Sequence, residues 1–369
     1  VVLTKGDEYP IHQTPEPIAF SGTDRNFYDR YFFCGYLPDG DGYFALAFGI
    51  YPHLNIADAH FSVLRGGTQH CLHASRLLNM ERMNLAVGPI RIEVLEPLHA
   101  LRICVDGEGI RADLRCAGRA FPVQEPRFTR RLGPRVLMDL TRFTQNVRWS
   151  GDVSVDGAAV MYEDAPGTRD RSWGVRPIGA PETQPVVPQQ MPQFYWLWAP
   201  TNFPNLSLFF HVNEDEAGAP WNTRCVLAPD GAPAERQLHL VNPKMHMAWR
   251  AGQRRASAAR LDVTDPSGRA HVVSYRPLAT FLMKGIGYGH PEWAHGLWKG
   301  EHAQAREDFA PDSLDPLVLP HLHVQAICAA RHDGAGAGSD GVGIVEQLVI
   351  GPHAPSGFAS IIDGAKAEA

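Results

Sequence analysis

Long apolar runs are missing from this chain. No stretch approaches the ~18–20 consecutive apolar residues of a membrane-spanning helix, so no such span is expected. Basic blocks are missing too. A net charge of −6 spread over 369 residues offers no footprint for nucleic acid. The six cysteines (Cys34, Cys71, Cys104, Cys116, Cys225 and Cys328) stand far apart and form no C-x-x-C pair, which argues against a zinc ribbon or a redox dithiol. Four of them sit in strand-like surroundings, where a free thiol behaves as a small buried hydrophobe. A reducing compartment is therefore expected. The opening VVLTKGDEYPIHQTPEP is polar and has no apolar signal core, so a soluble cytoplasmic protein is the simplest reading. A G-x-S-x-G elbow, a P-loop and a G-x-G-x-x-G after a strand are all absent. That removes support for serine-nucleophile and nucleotide chemistry. Helical patterning is scarce as well, with GEHAQARED (300–308) and the tail IIDGAKAEA as the only helical candidates.

What is present is β structure. The 35 glycines and 30 prolines break the chain about every 8–15 residues, as turn signals between short strands do. Between them lie alternating or apolar runs such as GYFALAFGIY, IRIEVLE, QFYWLWAP, LSLFFHV and VGIVEQLVIG, rich in β-branched and aromatic residues. The sequence also repeats itself at about half its length. FFCGYLPDGDGYFALAF (32–48) parallels FYWLWAPTNFPNLSLFF (194–210). RIEVLEP (91–97) parallels RLDVTDP (260–266), and DGAAVMYE (156–163) pairs more weakly with DGVGIVEQ (340–347). Two similar all-β domains are expected, 1–180 and 190–369, divided in the Pro- and Gln-rich IGAPETQPVVPQQMP (178–192). HDGAGAGSDG (332–341) is expected to be an exposed hairpin loop.

Two segments hold more polar and aromatic residues than folding requires. The first, GTRDRSWGVRP (167–177), follows NVRWSGDVSVDGAAVMYE, which reads as two strands joined by the turn pair Asp156-Gly157. The segment is expected to be a strand-end loop projecting into a barrel mouth. Its Asp170 lies between Arg169 and Arg171, whose charges would hold it ionised. That pattern suits an anion clamp, a general base or a structural ion-pair network. The second, GIGYGHPEWAHGLWKGEH (285–302), carries Tyr288, His290, Glu292, Trp293, His295 and Trp298. Its Gly and Pro content forbids the helix of an H-E-x-x-H zinc site, and no metal is expected there. His321 and His323 in LPHLHVQ read as an alternating strand pair satisfied by their neighbours.

VSVDG…GTRDRSWGVRP resembles the hallmark segment of the lipocalin-like hydroxyneurosporene synthase (carotenoid hydratase) superfamily. More closely, it resembles a bacterial branch without assigned reactions that reads V-D-G…G-x-R-D-H-S-W-G-x-R. GYGHPEWAHGLWKGE resembles the second signature of that branch, so the resemblance touches both halves of the chain. It implies two tandem lipocalin-like antiparallel β-barrels packed on each other. It also implies hydration, cyclisation or cycloaddition of apolar, isoprenoid-like substrates without an obligatory redox cofactor. This chain departs from the pattern at Arg171, where the branch carries histidine, and an arginine cannot exchange protons near neutral pH.

On this reading the acid–base set is Asp170 and Glu292, with His290 or His295 and assistance from Tyr288. Trp173, Trp196, Trp293 and Trp298 would face the substrate, with Arg169 and Arg176 organising the loop. Protonating an alkene or a departing hydroxyl needs a carboxylic acid whose pKa an apolar pocket has raised, and aromatic faces to shelter the cation. A hydratase or dehydratase is expected. An isomerase or cyclase, or a plain carrier of an apolar ligand, would use the same cavity. The expected partner is a small apolar molecule, and a second copy of the chain is compatible with the sequence.

Overall fold

The computed structural model describes residues 8–11, 24–182, 184, 191–334 and 338–366. The first half supplies β1 (Phe27–Gly35), β2 (Tyr43–Tyr51), β3 (Ile56–Arg65), β4 (Thr68–Leu77), β5 (Ala86–Val87) and β6 (Ile90–Glu96). It continues with β7 (Ala100–Gly107), β8 (Ile110–Gly118), β9 (Val123–Gln124), β10 (Phe128–Leu132), β11 (Arg135–Val155) and β12 (Ala158–Val175). The second half supplies β13 (Phe194–Trp198), β14 (Thr201–Phe203), β15 (Leu206–Glu214), β16 (Pro220–Pro229), β17 (Leu238–His239) and β18 (Val241–Trp249). Last come β19 (Ala256–Thr264), β20 (Ala270–Leu282), β21 (His302–Phe309), β22 (Val324–Gly334) and β23 (Ser339–Ile350).

These strands form two antiparallel sheets. The first runs β21-β4-β3-β2-β1-β12-β11-β8-β7-β6-β5, and the second β17-β16-β15-β13-β23-β22-β20-β19-β18. Each curls around its own apolar core. Tyr31, Phe33, Phe44, Leu46 and Trp149 belong to the first core, and Tyr195, Leu197, Leu208 and Phe210 to the second. A third cluster, with Phe32, Tyr43, Ala45, Trp196, Trp198 and Phe209, lies between the sheets. The molecule is all-β, two curled antiparallel sheets packed on each other.

This packing explains the two kinds of apolar run. β2 is buried at every position because one of its faces fills the first core and the other the layer between the sheets. Strands buried on both faces read as continuous apolar runs. β8 lies away from the second sheet and alternates buried and exposed along Ile110–Cys116, as a strand covered on one face does.

The strand orders of the two sheets superpose: β1, β2 and β12 take the places that β13, β15 and β23 take in the second sheet. The aromatic match and the weak DGAAVMYE/DGVGIVEQ match therefore fall on equivalent strands. The acidic match does not. RIEVLEP lies on β6 while RLDVTDP lies on β19, whose equivalent is β7; alternating residues beside a turn make neighbouring edge strands look alike.

Two further expectations are corrected. GEHAQARED is not a helix: His302–Phe309 is β21, which leaves its own half of the chain and pairs with β4 at the edge of the first sheet. GTRDRSWGV is not a loop but the final stretch of the long strand β12. The hairpin at Asp156-Gly157 does form, with both residues at positive φ (49° and 84°), as a type I′ turn requires. His332 to Gly334 still belong to β22, and 335–337 lie outside the described residues.

All six cysteines are free, and five of them are buried. No described helix is long and apolar enough to cross a membrane.

Candidate functional site

In a strand, successive side chains point to opposite faces, and β12 uses this to divide the Arg-Asp-Arg motif. Arg169 stands opposite Phe33 and Gln145, and Arg171 opposite Tyr31 and Phe143. Both therefore enter the first core. Asp170 stands opposite Phe32 and Thr144 and faces the layer between the sheets.

The two arginines are fully buried and paired. Arg169 donates to Glu8 Oε1 at 2.7 Å and to Gln145 Oε1 at 2.7 Å. Arg171 donates to Asp29 Oδ1 at 2.6 Å and to the carbonyls of Arg30 and Tyr9, and its guanidinium lies 3.9 Å from the Tyr31 ring centroid. Arg171 thus anchors the residue 8–11 segment and leaves the face that carries Asp170 untouched. Trp173 shares this inner face and meets Phe143 edge-on.

On the other face, a cavity of about 380 Å³ opens between the sheets, lined by Asp170, Arg142, Arg176, Trp196, Tyr288 and His295 among others. Tyr28, Phe128 and Phe194 supply further aromatic wall, while Ser172, His323 and Glu346 add polar groups. The Asp170 carboxyl has no hydrogen bond within the described residues, and its surroundings set its protonation. Burial pushes its pKa up, Arg142 and Arg30 pull it down, Glu125 and Glu346 push it up again, and the result is about 7. The sequence expectation that flanking arginines hold it ionised is thus corrected. Those two side chains lie on the other face and spend their charge on Glu8 and Asp29.

Two carboxylates near Asp170, Glu125 behind the cavity wall and Glu346 on it, stay ionised. Burial opposes the charge on Glu125, but Arg142, His211 and Thr144 outweigh it and hold the carboxyl below its ordinary range. Thr144 Oγ1 donates to Glu125 Oε1 at 2.7 Å. The Arg142 guanidinium, bound to the same carboxylate, lies 4.4 Å from the Trp196 ring centroid. Glu346 likewise sits below its ordinary range despite burial, accepting from His323 Nε2 at 2.7 Å, Trp196 Nε1 at 3.2 Å and Gln325 Nε2 at 2.5 Å. Among the wall carboxyls Asp170 is the one poised to be neutral.

His295 has the opposite character. Its Nε2 lies 2.8 Å from the Ile286 carbonyl, while Nδ1 faces Arg30 Nη1 at 3.3 Å and Arg176 Nη2 at 3.2 Å. Arginine can only donate, so Nδ1 accepts and Nε2 carries the proton. Burial, then Arg30, Arg176 and His60, hold the pKa of His295 well below its ordinary value. It is a neutral acceptor that positions two arginines, unsuited to protonate a substrate. Arg30 also donates to the Tyr288 hydroxyl and lies 4.3 Å from that ring's centroid. Gly287, at φ 90°, makes the turn possible, since a Cβ there would come within 2.8 Å of the His295 ring.

The remaining expected site residues lie elsewhere. Glu292 is exposed and Trp298 is 58 % exposed. His290 is buried, with Nε2 3.1 Å from Glu307 Oε1 and Nδ1 accepting from the Glu292 and Trp293 amides. Trp293 stacks on His73, with Lys299 over its ring. His323 is not a plain strand residue, for it precedes β22 and binds Glu346 at the cavity wall. His321 sits in a short 3₁₀ turn, its Nδ1 2.7 Å from the Asp315 carbonyl.

Sequence reasoning missed Arg30, Arg142, Glu125 and Glu346. Arg30 and Arg142 both stand opposite Ser172, a relation that no short motif records.

Within the described residues, Cys71, His73 and Glu307 are the set whose donor atoms lie close enough to hold a metal, all within 4.8 Å. The Lys284 ammonium already sits 3.0 and 3.1 Å from the two Glu307 oxygens and supplies the counter-charge that a metal would.

Residues 3–359 match the family of unknown function DUF8625. The chain belongs to that family. No curated protein matches the sequence. Among solved structures, a protein labelled AttH from Nitrosomonas europaea is similar at 13 % identity and a TM-score of 0.49, over 92 % of this chain and 99 % of the other. CghA in complex with Sch210972 is similar at 11 % identity and the same TM-score, over 89 % and 90 %. CghA alone is similar at 10 % identity. For this DUF8625 member, function has to be argued from its own cavity.

Proposed function

We propose that the protein is a cofactor-independent acid–base enzyme acting on an apolar, isoprenoid-like substrate, with hydratase or dehydratase chemistry at a C=C bond and Asp170 as the proton donor. The observation that carries this reading is the Asp170 carboxyl, free of hydrogen bonds among the described residues, in an aromatic-lined cavity, with a pKa of about 7. An acid poised near the working pH is what proton transfer to a poor base requires.

In the dehydrating direction, the Asp170 proton goes to the substrate hydroxyl as its C–O bond breaks and water leaves. The cation that remains lies among the rings of Tyr28, Phe194, Trp196 and Tyr288. The Asp170 carboxylate then takes a proton from the neighbouring carbon, the C=C bond forms and the acid is restored. Hydration runs the same steps in reverse. Glu292, exposed and outside the wall, has no part in this scheme. At about 380 Å³ the cavity falls in the range of small-molecule sites. That suits a short terpenoid or the end of a longer chain.

Native mass spectrometry with extraction of co-purifying molecules names the ligand, and turnover of it in labelled water follows. Solvent label in the product, lost in Asp170→Asn and kept in Glu292→Gln, is the expected result. A ligand released unchanged, with full retention by Asp170→Asn, would make the protein a carrier. Rearranged product without solvent oxygen would make it an isomerase or cyclase.

A further inference from the structure

The charges around the cavity do not cancel among themselves. Three guanidiniums, those of Arg30, Arg142 and Arg176, stand at or behind its wall, facing Asp170 and the ionised Glu125 and Glu346. Arg142 is paired with Glu125, and Glu346 is held by His323, Gln325 and Trp196. Arg30 and Arg176 have no carboxylate partner among the described residues. Their polar contacts are the Tyr288 hydroxyl and the shared Nδ1 of His295, a neutral acceptor. The Nε of each is buried without a hydrogen bond. Arg176 lines the cavity directly and makes a single side-chain hydrogen bond among the described residues, while its guanidinium lies 4.6 Å from the Tyr28 ring centroid. A half-buried guanidinium fork held on two aromatic faces and a histidine is arranged for a planar oxyanion.

We propose that the cavity takes a monocarboxylate, an apolar molecule with one carboxylate head held by Arg176 with Arg30 and Tyr288 behind it. This names the substrate class and rests on the reading of the cavity as the substrate site. The charge count fits. With Asp170 in its acid form, three arginines stand against two carboxylates, and one anionic head closes the difference. With Asp170 ionised, the head would meet a like charge instead. Binding of the head and protonation of Asp170 therefore favour each other, because each removes what opposes the other. The groups facing Asp170 that enter this balance are Arg30 and Tyr28 from β1, Arg142 from β11, Glu125 after β9, and Glu346 from β23. Tyr288, His295 and His323 complete it from the loops.

Calorimetric titration of the full chain with octanoate and with octanamide, its neutral counterpart, tests the proposal. Octanoate is expected to bind at least tenfold more tightly than the amide. At pH 8, comparison of buffers with different ionisation enthalpies should show proton uptake on octanoate binding. Arg176→Gln should abolish the preference, and Arg176→Lys should keep part of it, separating lost charge from lost packing. Asp170→Asn should abolish the proton uptake and keep the preference. Equal affinity for acid and amide, no octanoate binding, or a preference that survives Arg176→Gln would each overturn the proposal. Solvent incorporation into a neutral alkenol, with no carboxylate preference, would overturn it while leaving the acid–base reading intact. Octanoate binding through Arg176 with no turnover of any unsaturated or hydroxylated carboxylate would keep it and sink the acid–base reading.

Discussion

Asp170 and His295 border the same cavity and respond to burial in opposite ways, because burial disfavours whichever form is charged. For Asp170 the charged form is the deprotonated one. Its folded pKa of about 7 exceeds the unfolded value near 4, so the folded state holds the proton more tightly. The fold is thus relatively favoured below about pH 4, and this group subtracts stability as pH rises to about 7, at ~1.4 kcal/mol per unit of displacement. Asp170→Asn is therefore expected to raise the melting temperature at pH 8 and change it little at pH 4, read by calorimetry at both. The same substitution should lower kcat by on the order of 10²–10⁴ if the carboxyl is the proton donor, and wild-type kcat should fall above about pH 7. For His295 the charged form is the protonated one, and its folded pKa lies far below its ordinary value. His73 and His211 behave alike, each depressed by burial to about 4. In the unfolded chain these three rings take up protons near pH 6.5. They contribute stability above that pH and lose it as pH falls towards 4. Urea midpoints at pH 7 and pH 5 should differ accordingly, with a smaller difference in His211→Gln.

At the scale of the element, β12 converts one short motif into two environments. Residues 169 and 171 look into the first core, and residues 170 and 172 into the layer between the sheets. Removing one partner from a buried ion pair leaves an unpaired charge and costs about 3–5 kcal/mol. Glu8→Gln and Arg169→Gln should each lower stability by that order, while Asp170→Asn, one residue away, should not. Denaturant unfolding of the three variants at pH 8 checks this, and a loss of stability in Asp170→Asn comparable with that of Arg169→Gln would contradict the division. Reading GTRDRSWG as a loop went wrong because Gly, Arg and Asp carry no β signal of their own. The strand is imposed by its neighbours: β1 on one side and β11 on the other pair it residue by residue.

At the scale of the molecule, β21 is the element that ties the halves together. It leaves the second half of the chain, closes the edge of the first sheet against β4, and brings Glu307 to His73 and to Lys284. Facing residues alternate between donating into a ladder and pointing away, so of the adjacent pair Gln304 and Ala305, one amide is directed at β4. Of Gln304→Pro and Ala305→Pro, one should therefore lower the thermal transition by several degrees and broaden it, and the other should be tolerated as edge prolines are. Two unaffected single transitions in calorimetry would show that β21 does not couple the sheets.

Composition, alternation and repetition, all local properties, were enough to determine the all-β class, the Asp156-Gly157 hairpin and the equivalence of β1 and β2 with β13 and β15. The two polar and aromatic segments, with the resemblance they carry, and the run QFYWLWAP also pointed to five side chains of the cavity wall: Asp170, Arg176, Trp196, Tyr288 and His295. Only the tertiary structure decided which carboxyl is neutral. The charges that set Asp170 come from Arg30, Arg142, Glu125 and Glu346, each distant in sequence and brought near by strand register and by packing of one sheet on the other. Glu292 and Trp298, close in sequence to Tyr288 and His295, end in solvent because their loop turns away. Proximity along a chain fixes neither burial nor field, and a buried acid is made by both.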